Sequence, residues 1–89
     1  MQKNTVQLKN KLGLHARAAS SLVQLATKFK SSIRIIKDDN EVDGKSILGI
    51  LTLAAECGST LKIITDGPDE QEATQKLLEL IEDKFHEEQ

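Results

Sequence analysis

Hydrophobic and polar residues alternate at the start of the chain in a pattern that predicts a β-strand. Val6 and Leu8 are apolar, and the residues beside them, Thr5 and Gln7, are polar. A period of two is typical of a strand that buries one face. We expect this first strand to end near Asn10.

The hydrophobic period changes after residue 15, and the new spacing predicts a helix that begins at Ala16. Ser20 and Gln24 fall on the outward side, whereas the apolar side chains recur every three or four residues, as in an amphipathic helix. The predicted apolar stripe consists of Ala19, Leu22, Val23, Ala26 and Phe29.

Three further strands are predicted in the middle of the chain. Residues 33–37 are rich in β-branched side chains, and residues 38–40 supply the Asp and Asn side chains that close turns. This pattern predicts a hairpin whose second strand covers residues 41–43. A similar apolar and polar alternation over residues 61–65 predicts the fourth strand.

Two more helices are predicted from their end signals. Ser46 precedes an apolar run, so we expect a short helix from Ile47 to about Ala55, with Gly58 as its stop. After the turn at Gly67 and Pro68, Asp69 and Glu72 have the spacing of a capping box. The closing helix then presents one apolar face, formed by Ala73, Leu77, Leu80, Ile81 and Phe85.

The predicted order β-α-β-β-α-β-α favours the α+β class. We expect an open-faced two-layer sandwich, in which three helices pack on one face of a four-stranded antiparallel sheet. A chain of 89 residues is too short to divide its core, so residues 1–89 should form one domain. The polar tail over residues 86–89 is predicted to fray and to have no role.

The charge and the amino-acid composition of the chain argue against several classes of protein. A net charge of -2 and only two aromatic residues argue against a nucleic-acid binder. The single cysteine, Cys57, excludes an internal disulfide framework and a cysteine-rich metal site, and we interpret it as a small buried residue. The sequence has no apolar run of the roughly 20 residues that span a bilayer, so we expect a cytoplasmic protein without membrane insertion. We expect neither a metal nor a cofactor.

His15 lies where the strand pattern ends and the helical pattern begins, at or next to the helix N-cap. The backbone N–H groups of Ala16, Arg17 and Ala18 should therefore point toward its side chain. The positive end of a helix binds anions, and the Arg17 guanidinium has donors that match phosphate oxygens. The same helix end disfavours imidazolium, which would keep His15 neutral and nucleophilic.

These residues also fit a second interpretation, in which His15 is an ordinary loop histidine and Arg17 a solvated charge. The residues alone do not decide between the two. A small enzyme with His15 as general base is a third alternative, but Asp38, Asp39 and Asp43 are predicted to lie in the opposite loop region. We therefore find no partner acid for a hydrolytic triad.

The second helix is apolar on nearly every side, although it should lie on the outside of the domain. If Ile50, Leu53 and also Cys57 face the sheet, then an exposed patch forms beside His15 and Arg17. It would consist of Ile47, Leu48 and Leu51. Exposed apolar clusters of this kind mark surfaces that bind partner proteins. The alternative is a more enclosed helix without an exposed patch.

Three features of the chain together resemble the HPr family of histidine-containing phosphocarrier proteins of the phosphoenolpyruvate-dependent phosphotransferase system. They are the sequence GLHAR over residues 13–17, the sequence KSILG over residues 45–49, and the order and length of the predicted elements. The resemblance covers nearly the whole chain. It departs at Ala18, where the family usually has proline, and this change leaves open which branch of the family the chain belongs to.

The resemblance implies a carrier that turns over no substrate of its own. His15 would accept a phosphoryl group on Nδ1 from phosphorylated enzyme I and pass it to the IIA domains of sugar permeases. Arg17 and the amides of Ala16 and Ala18 would hold the phosphate, and we expect a monomer. In some branches the serine that matches Ser46 is phosphorylated by HPr kinase/phosphorylase, which controls carbon metabolism. A regulatory relative that binds enzymes or a transcriptional regulator is therefore the alternative function.

Overall fold

Residues 1–86 are described by a computed structural model, in which four strands and three helices follow one another in the predicted order. Residues 87–89, most of the tail that was predicted to fray, lie outside the described part. The strands are β1 (Gln2–Gln7), β2 (Ser32–Lys37), β3 (Asn40–Asp43) and β4 (Thr60–Asp66); the helices are α1 (Ala16–Ala26), α2 (Ile47–Thr52) and α3 (Glu70–Glu82), and a 3-10 turn covers Lys84–His86.

The four strands form one antiparallel sheet in the order β1-β4-β2-β3. Val6 of β1 pairs with Leu61 of β4, and Ile63 of β4 pairs with Ile35 of β2. All four of these side chains are buried, whereas alternate residues such as Lys62 face solvent. Because the helices cover only the buried face, the predicted open-faced α+β sandwich is confirmed.

The buried apolar side chains join the sheet and the helices into one hydrophobic cluster. Helix α1 buries most of the stripe that its spacing predicted, but it ends at Ala26, so Phe29 reaches the core from the segment after the helix. Helix α3 contributes the face that packs against β1 and β4. Burial of this area from water is the main favourable contribution to folding. The largest fully buried apolar side chains are Leu8, Leu22, Ile33, Ile35, Ile50, Leu61, Ile63, Leu77 and Ile81.

Strand β1 is shorter than predicted, because it ends at Gln7 and not near Asn10. Leu8 still donates its backbone N–H to Ser59 O at 2.9 Å, so the chain stays beside the start of β4 for one more residue. The Asn10 side chain then turns inward and donates to Gly13 O at 2.7 Å. This bond belongs to a turn, so the extended conformation cannot continue.

Helix α2 is also shorter than predicted, since it ends at Thr52 with Leu53 as its C-cap. Ala54 has a φ of 49°, in the left-handed region, and this conformation terminates the helix. Gly58 has a φ of 92° in the following loop, so it is not the residue that stops the helix. The predicted end near Ala55 was therefore wrong by about one turn.

The closing helix ends at Glu82, before the last residues of its predicted apolar face. Lys84 and Phe85 both have φ values in the left-handed region, at 54° and 57°. Phe85 is nevertheless buried in the common core. Its predicted burial is confirmed, but the residue reaches the core from a turn and not from the helix.

Asp69 does not form the predicted capping box, because its side chain makes no hydrogen bond to its own helix. Its carboxylate instead accepts from the hydroxyl of Ser31 at 2.5 Å and from the backbone N–H groups of Lys30 and Ser31 at 2.9 Å each. The Ser31 hydroxyl and then the Lys30 amide lower the pKa of Asp69 to about 2. The carboxylate thus ties the start of α3 to the loop that follows α1.

The Asp69 contacts predict a loss of stability in acid. The pKa of 3.8 in the unfolded chain lies above the folded value of about 2, so the ionised carboxylate stabilises the fold fully above pH 3.8. This contribution should disappear as the pH falls through about 2. Asp69→Asn should lower the free energy of unfolding at neutral pH and flatten its pH dependence in this window, as measured by urea unfolding.

Asp39→Asn provides the control, because Asp39 is exposed in the turn between β2 and β3. This variant should follow the pH dependence of the unsubstituted chain. An equally steep acid loss in Asp69→Asn would show that another carboxylate is responsible.

Candidate functional site

The loop before His15 approaches the loop after α2 very closely. Gly13 has a φ of 68°, and a Cβ at this position would lie 2.4 Å from Ala55 O. Only glycine avoids this overlap and also adopts the left-handed conformation without strain. Leu14 then donates its backbone N–H to the same Ala55 O at 2.9 Å, and its side chain is buried. These contacts place the next residue, His15, at the start of α1.

His15 is the N-cap of α1, as the change of hydrophobic period predicted. Its backbone is extended, with φ -77° and ψ 179°, and its carbonyl accepts from Ala19 N at 2.8 Å. The ring atom Nδ1 accepts from the backbone N–H of Arg17 at 3.3 Å. The lone pair of Nδ1 thus faces the helix N-terminus, and in the neutral ring the proton is on Nε2.

The first turn of α1 suits an anion. Three backbone N–H groups in this turn have no acceptor within the helix, those of Ala16, Arg17 and Ala18. The turn also has no acidic residue. Ala16 and the Arg17 side chain are exposed, and His15 is half-buried. A dianion beside Nδ1 would therefore meet backbone donors and a nearby guanidinium.

Ala18 combines a fully buried side chain with a backbone N–H in the first helical turn. Its methyl group packs in the core, so the residue anchors the turn that presents His15. Proline would lack the N–H group. Alanine here therefore adds one backbone donor to the helix end.

Ser46 is the N-cap of α2, and its Oγ accepts from Gly49 N at 3.1 Å. A Cβ on Gly49 would lie 3.2 Å from the Val42 side chain, so glycine lets α2 sit close to β3. The neighbouring Lys45 donates from Nζ to Phe29 O at 2.8 Å, which ties this loop to the segment that follows α1.

The predicted apolar patch on α2 is smaller than expected. Leu48 is 77% exposed and Ile47 is 42% exposed, whereas Leu51 is half-buried and packs against the core. Ile50 and Leu53 are buried, as predicted. We use the term apolar patch for Ile47 and Leu48; it lies on α2, which contacts α1.

Two other residues near the site differ from expectation or were missed. Leu12 is 66% exposed, three residues before His15, and the hydrophobic pattern did not distinguish it from a core residue. Cys57 is exposed, with its Sγ 3.8 Å from Lys9 O, so the prediction of burial was wrong. The reason is that α2 ends before Ala54, which leaves Cys57 in a surface loop.

The site is a surface and not a cavity. A groove of about 550 Å³ lies between α1 and α3, lined by residues such as Leu25 and Lys76, and His15 does not line it. Over residues 1–86, we find no group of three or more His, Cys, Asp or Glu side chains placed to bind a metal. No helix in the same range is long and apolar enough to cross a bilayer.

Fold and site together define a class of small α+β proteins that present a histidine at a helix N-terminus on an open surface. The sequence model of the family described as "PTS HPr component phosphorylation site" matches residues 2–83. The chain therefore belongs to the HPr family of phosphocarrier proteins of the phosphotransferase system, as the sequence motifs predicted.

Known relatives match over almost their full length. Phosphocarrier protein HPr of Cupriavidus necator is 51% identical over 87 residues, which cover 98% of this chain and 97% of the relative. HPr-like protein Crh of Halalkalibacterium halodurans is 48% identical over 82 residues, which cover 92% and 98%. The crystal structure of HPr-C-His from Thermoanaerobacter tengcongensis superposes with a TM-score of 0.96 at 47% identity, covering both chains completely.

Proposed function

We propose that His15 accepts a phosphoryl group on Nδ1 from phosphorylated enzyme I and transfers it to the IIA domains of sugar permeases. The main support is the orientation of the ring, whose Nδ1 faces the Arg17 N–H at 3.3 Å at the N-terminus of α1. A nucleophile at this position attacks phosphorus where backbone donors already face the incoming oxygens.

Transfer needs no proton movement within the site. Nδ1 forms the new bond to phosphorus while the bond between phosphorus and the donor breaks, and Nε2 keeps its proton. The Arg17 N–H then exchanges the Nδ1 lone pair for a phosphoryl oxygen, and the N–H groups of Ala16 and Ala18 are close by in the same turn. The Arg17 guanidinium adds one positive charge, which offsets part of the charge of the dianion.

A carrier must release the phosphoryl group as readily as it accepts it. An open helix end with few donors stabilises the bound phosphate only modestly, whereas an enclosed anion site would retain it. The half-buried ring of His15 and the exposed Arg17 fit this requirement. Exposure also lets two different partners reach the same atom in turn.

Phosphorylation by enzyme I tests the role of His15. The unsubstituted chain should take up label from phosphoenolpyruvate in the presence of enzyme I, and the label should be lost in acid, because a phosphoramidate on imidazole hydrolyses there. His15→Ala should take up none. His86→Ala is the matched control for the second histidine of the chain and should retain full labelling. Acid-stable label, or label that persists in His15→Ala, would contradict the proposal.

We further propose that enzyme I and the IIA domains dock on the apolar patch. The support is that Leu48 is a large apolar side chain, 77% exposed, on a helix that packs against α1. Such side chains form the dry centre of protein interfaces. The cation of Arg17 would then lie at the edge of the contact.

Replacement of the most exposed leucine tests this docking surface. Leu48→Asp should lower the transfer rate to a IIA domain by about tenfold or more, because a charge is desolvated on binding. The free energy of unfolding of this variant should change by less than about 0.5 kcal/mol, because the exposed Leu48 side chain makes little contact with the core. Gln75→Asp, at an exposed position of α3, controls for the added charge and should leave the transfer rate unchanged. A large loss of stability in Leu48→Asp would indicate an enclosed helix instead.

Ser46 supports a second function, in which a kinase of the HPr kinase/phosphorylase type modifies the chain and a transcriptional regulator binds the product. Its Oγ lies at the N-terminus of α2, directly before the apolar patch. A phosphate here carries about -1.5 to -2 charges, and the helix dipole stabilises it. Phosphorylation should therefore preserve α2 and change which partners dock beside it.

Incubation with such a kinase and ATP, followed by mass spectrometry, tests the second function. We expect one phosphate on Ser46 that survives acid, and none on Ser46→Ala. A chain that remains unmodified at Ser46, while His15 still accepts label from enzyme I, would restrict the protein to the carrier function.

A further inference from the structure

Asn10 is a fully buried polar residue in the loop between β1 and α1, with 0% of its surface exposed. Its side-chain Nδ2 donates to Gly13 O at 2.7 Å, and its backbone carbonyl accepts from Gly13 N at 3.1 Å. Asn10 therefore binds both polar backbone groups of Gly13. A buried side chain with such contacts holds the loop in a single conformation.

The bond from Asn10 acts on the peptide plane that immediately precedes His15. The carbonyl of Gly13 and the N–H of Leu14 belong to one planar peptide unit. The oxygen of this unit accepts from Asn10 Nδ2 and from His15 N at 3.0 Å, and its N–H donates to Ala55 O at 2.9 Å. The plane is thus held at both ends, and a rotation of it would displace His15.

We propose that Asn10 is a positioning residue for phosphoryl transfer, which acts through the Gly13–Leu14 peptide to hold His15 at the N-cap. The inference rests on the proposed function of His15 as the phosphoryl acceptor. Asn10 does not touch the phosphoryl group. It fixes the backbone from which the ring reaches Arg17 N–H, and small displacements of a nucleophile slow group transfer strongly.

Asn10→Ala removes the donor to Gly13 O, and Gln7→Ala is the matched control. Gln7 also donates a side-chain amide to a glycine carbonyl, Gly58 O at 3.1 Å, but this bond does not reach the peptide before His15. With both variants folded, single-turnover transfer from phosphorylated enzyme I should be about tenfold slower in Asn10→Ala and unchanged in Gln7→Ala. The dissociation constant for enzyme I should stay within about twofold in both, because the docking surface is intact.

The amide signal of Arg17 in the ¹H–¹⁵N NMR spectrum provides a readout that does not depend on transfer. Asn10→Ala should shift this signal upfield, since the bond to His15 Nδ1 weakens, whereas Gln7→Ala should not. A folded Asn10→Ala variant with an unchanged transfer rate and an unchanged Arg17 signal would overturn the proposal. If the unsubstituted chain took up no label on His15, the proposed function would fail. The Arg17 signal would still show whether Asn10 controls the position of the His15 ring.

A titration of the unsubstituted chain keeps the test available if Asn10→Ala does not fold. Protonation of the His15 ring removes the acceptor of the Arg17 N–H and should perturb the peptide plane before it. The Nδ2 protons of Asn10 should then shift together with the Arg17 amide, while the side-chain amide of Gln7 stays unmoved. Asn10 signals that do not follow this titration would contradict the positioning role.

Discussion

The site depends on the close approach of residues 13 and 14 to the carbonyl of Ala55. A Cβ at Gly13 would lie 2.4 Å from this oxygen, and Leu14 donates its N–H to it at 2.9 Å. The contact joins the residue before His15 to the loop after α2, so the His15 ring and the apolar patch belong to neighbouring elements. It is possible because β1 pairs with β4, which brings Leu8 next to Ser59 and aligns the two loops. The sheet thus determines where His15 and the apolar patch lie relative to each other.

Hydrophobic periodicity predicted the class and the order of the elements, because one face of each strand and helix must be buried in a common core. It failed where a boundary depends on contacts between elements distant in the sequence. Ala54 ends α2 in a left-handed conformation that no residue preference indicates for alanine. Asp69 has the spacing of a helix cap, yet its carboxylate accepts from three donors of Lys30 and Ser31 and not from its own helix. The residues next to Ala54 and Asp69 in the sequence do not indicate these contacts with distant parts of the chain.

The position of His15 could be predicted, because the change from a period of two to a helical period marks the helix start, where N-capping follows from geometry. Its chemistry could not be derived from those residues alone; the phosphocarrier assignment depends on the family motifs over residues 13–17 and 45–49. The burial of Asn10 and the partial burial of Leu51 were also beyond prediction, since both depend on how the loops and α2 pack on the finished sheet. Surface sites are therefore easier to locate from sequence than the residues that support them.

The atom that bonds to phosphorus can be observed directly in a long-range ¹H–¹⁵N correlation spectrum of the chain phosphorylated by enzyme I. If the orientation of the ring at the N-terminus of α1 determines its reactivity, Nδ1 of His15 should couple to ³¹P, and Nε2 should keep its proton. The Arg17 amide signal should also move downfield, because the Arg17 N–H then donates to a phosphoryl oxygen and no longer to Nδ1. Phosphorus coupled to Nε2, or a phosphoryl group on another residue, would contradict this account.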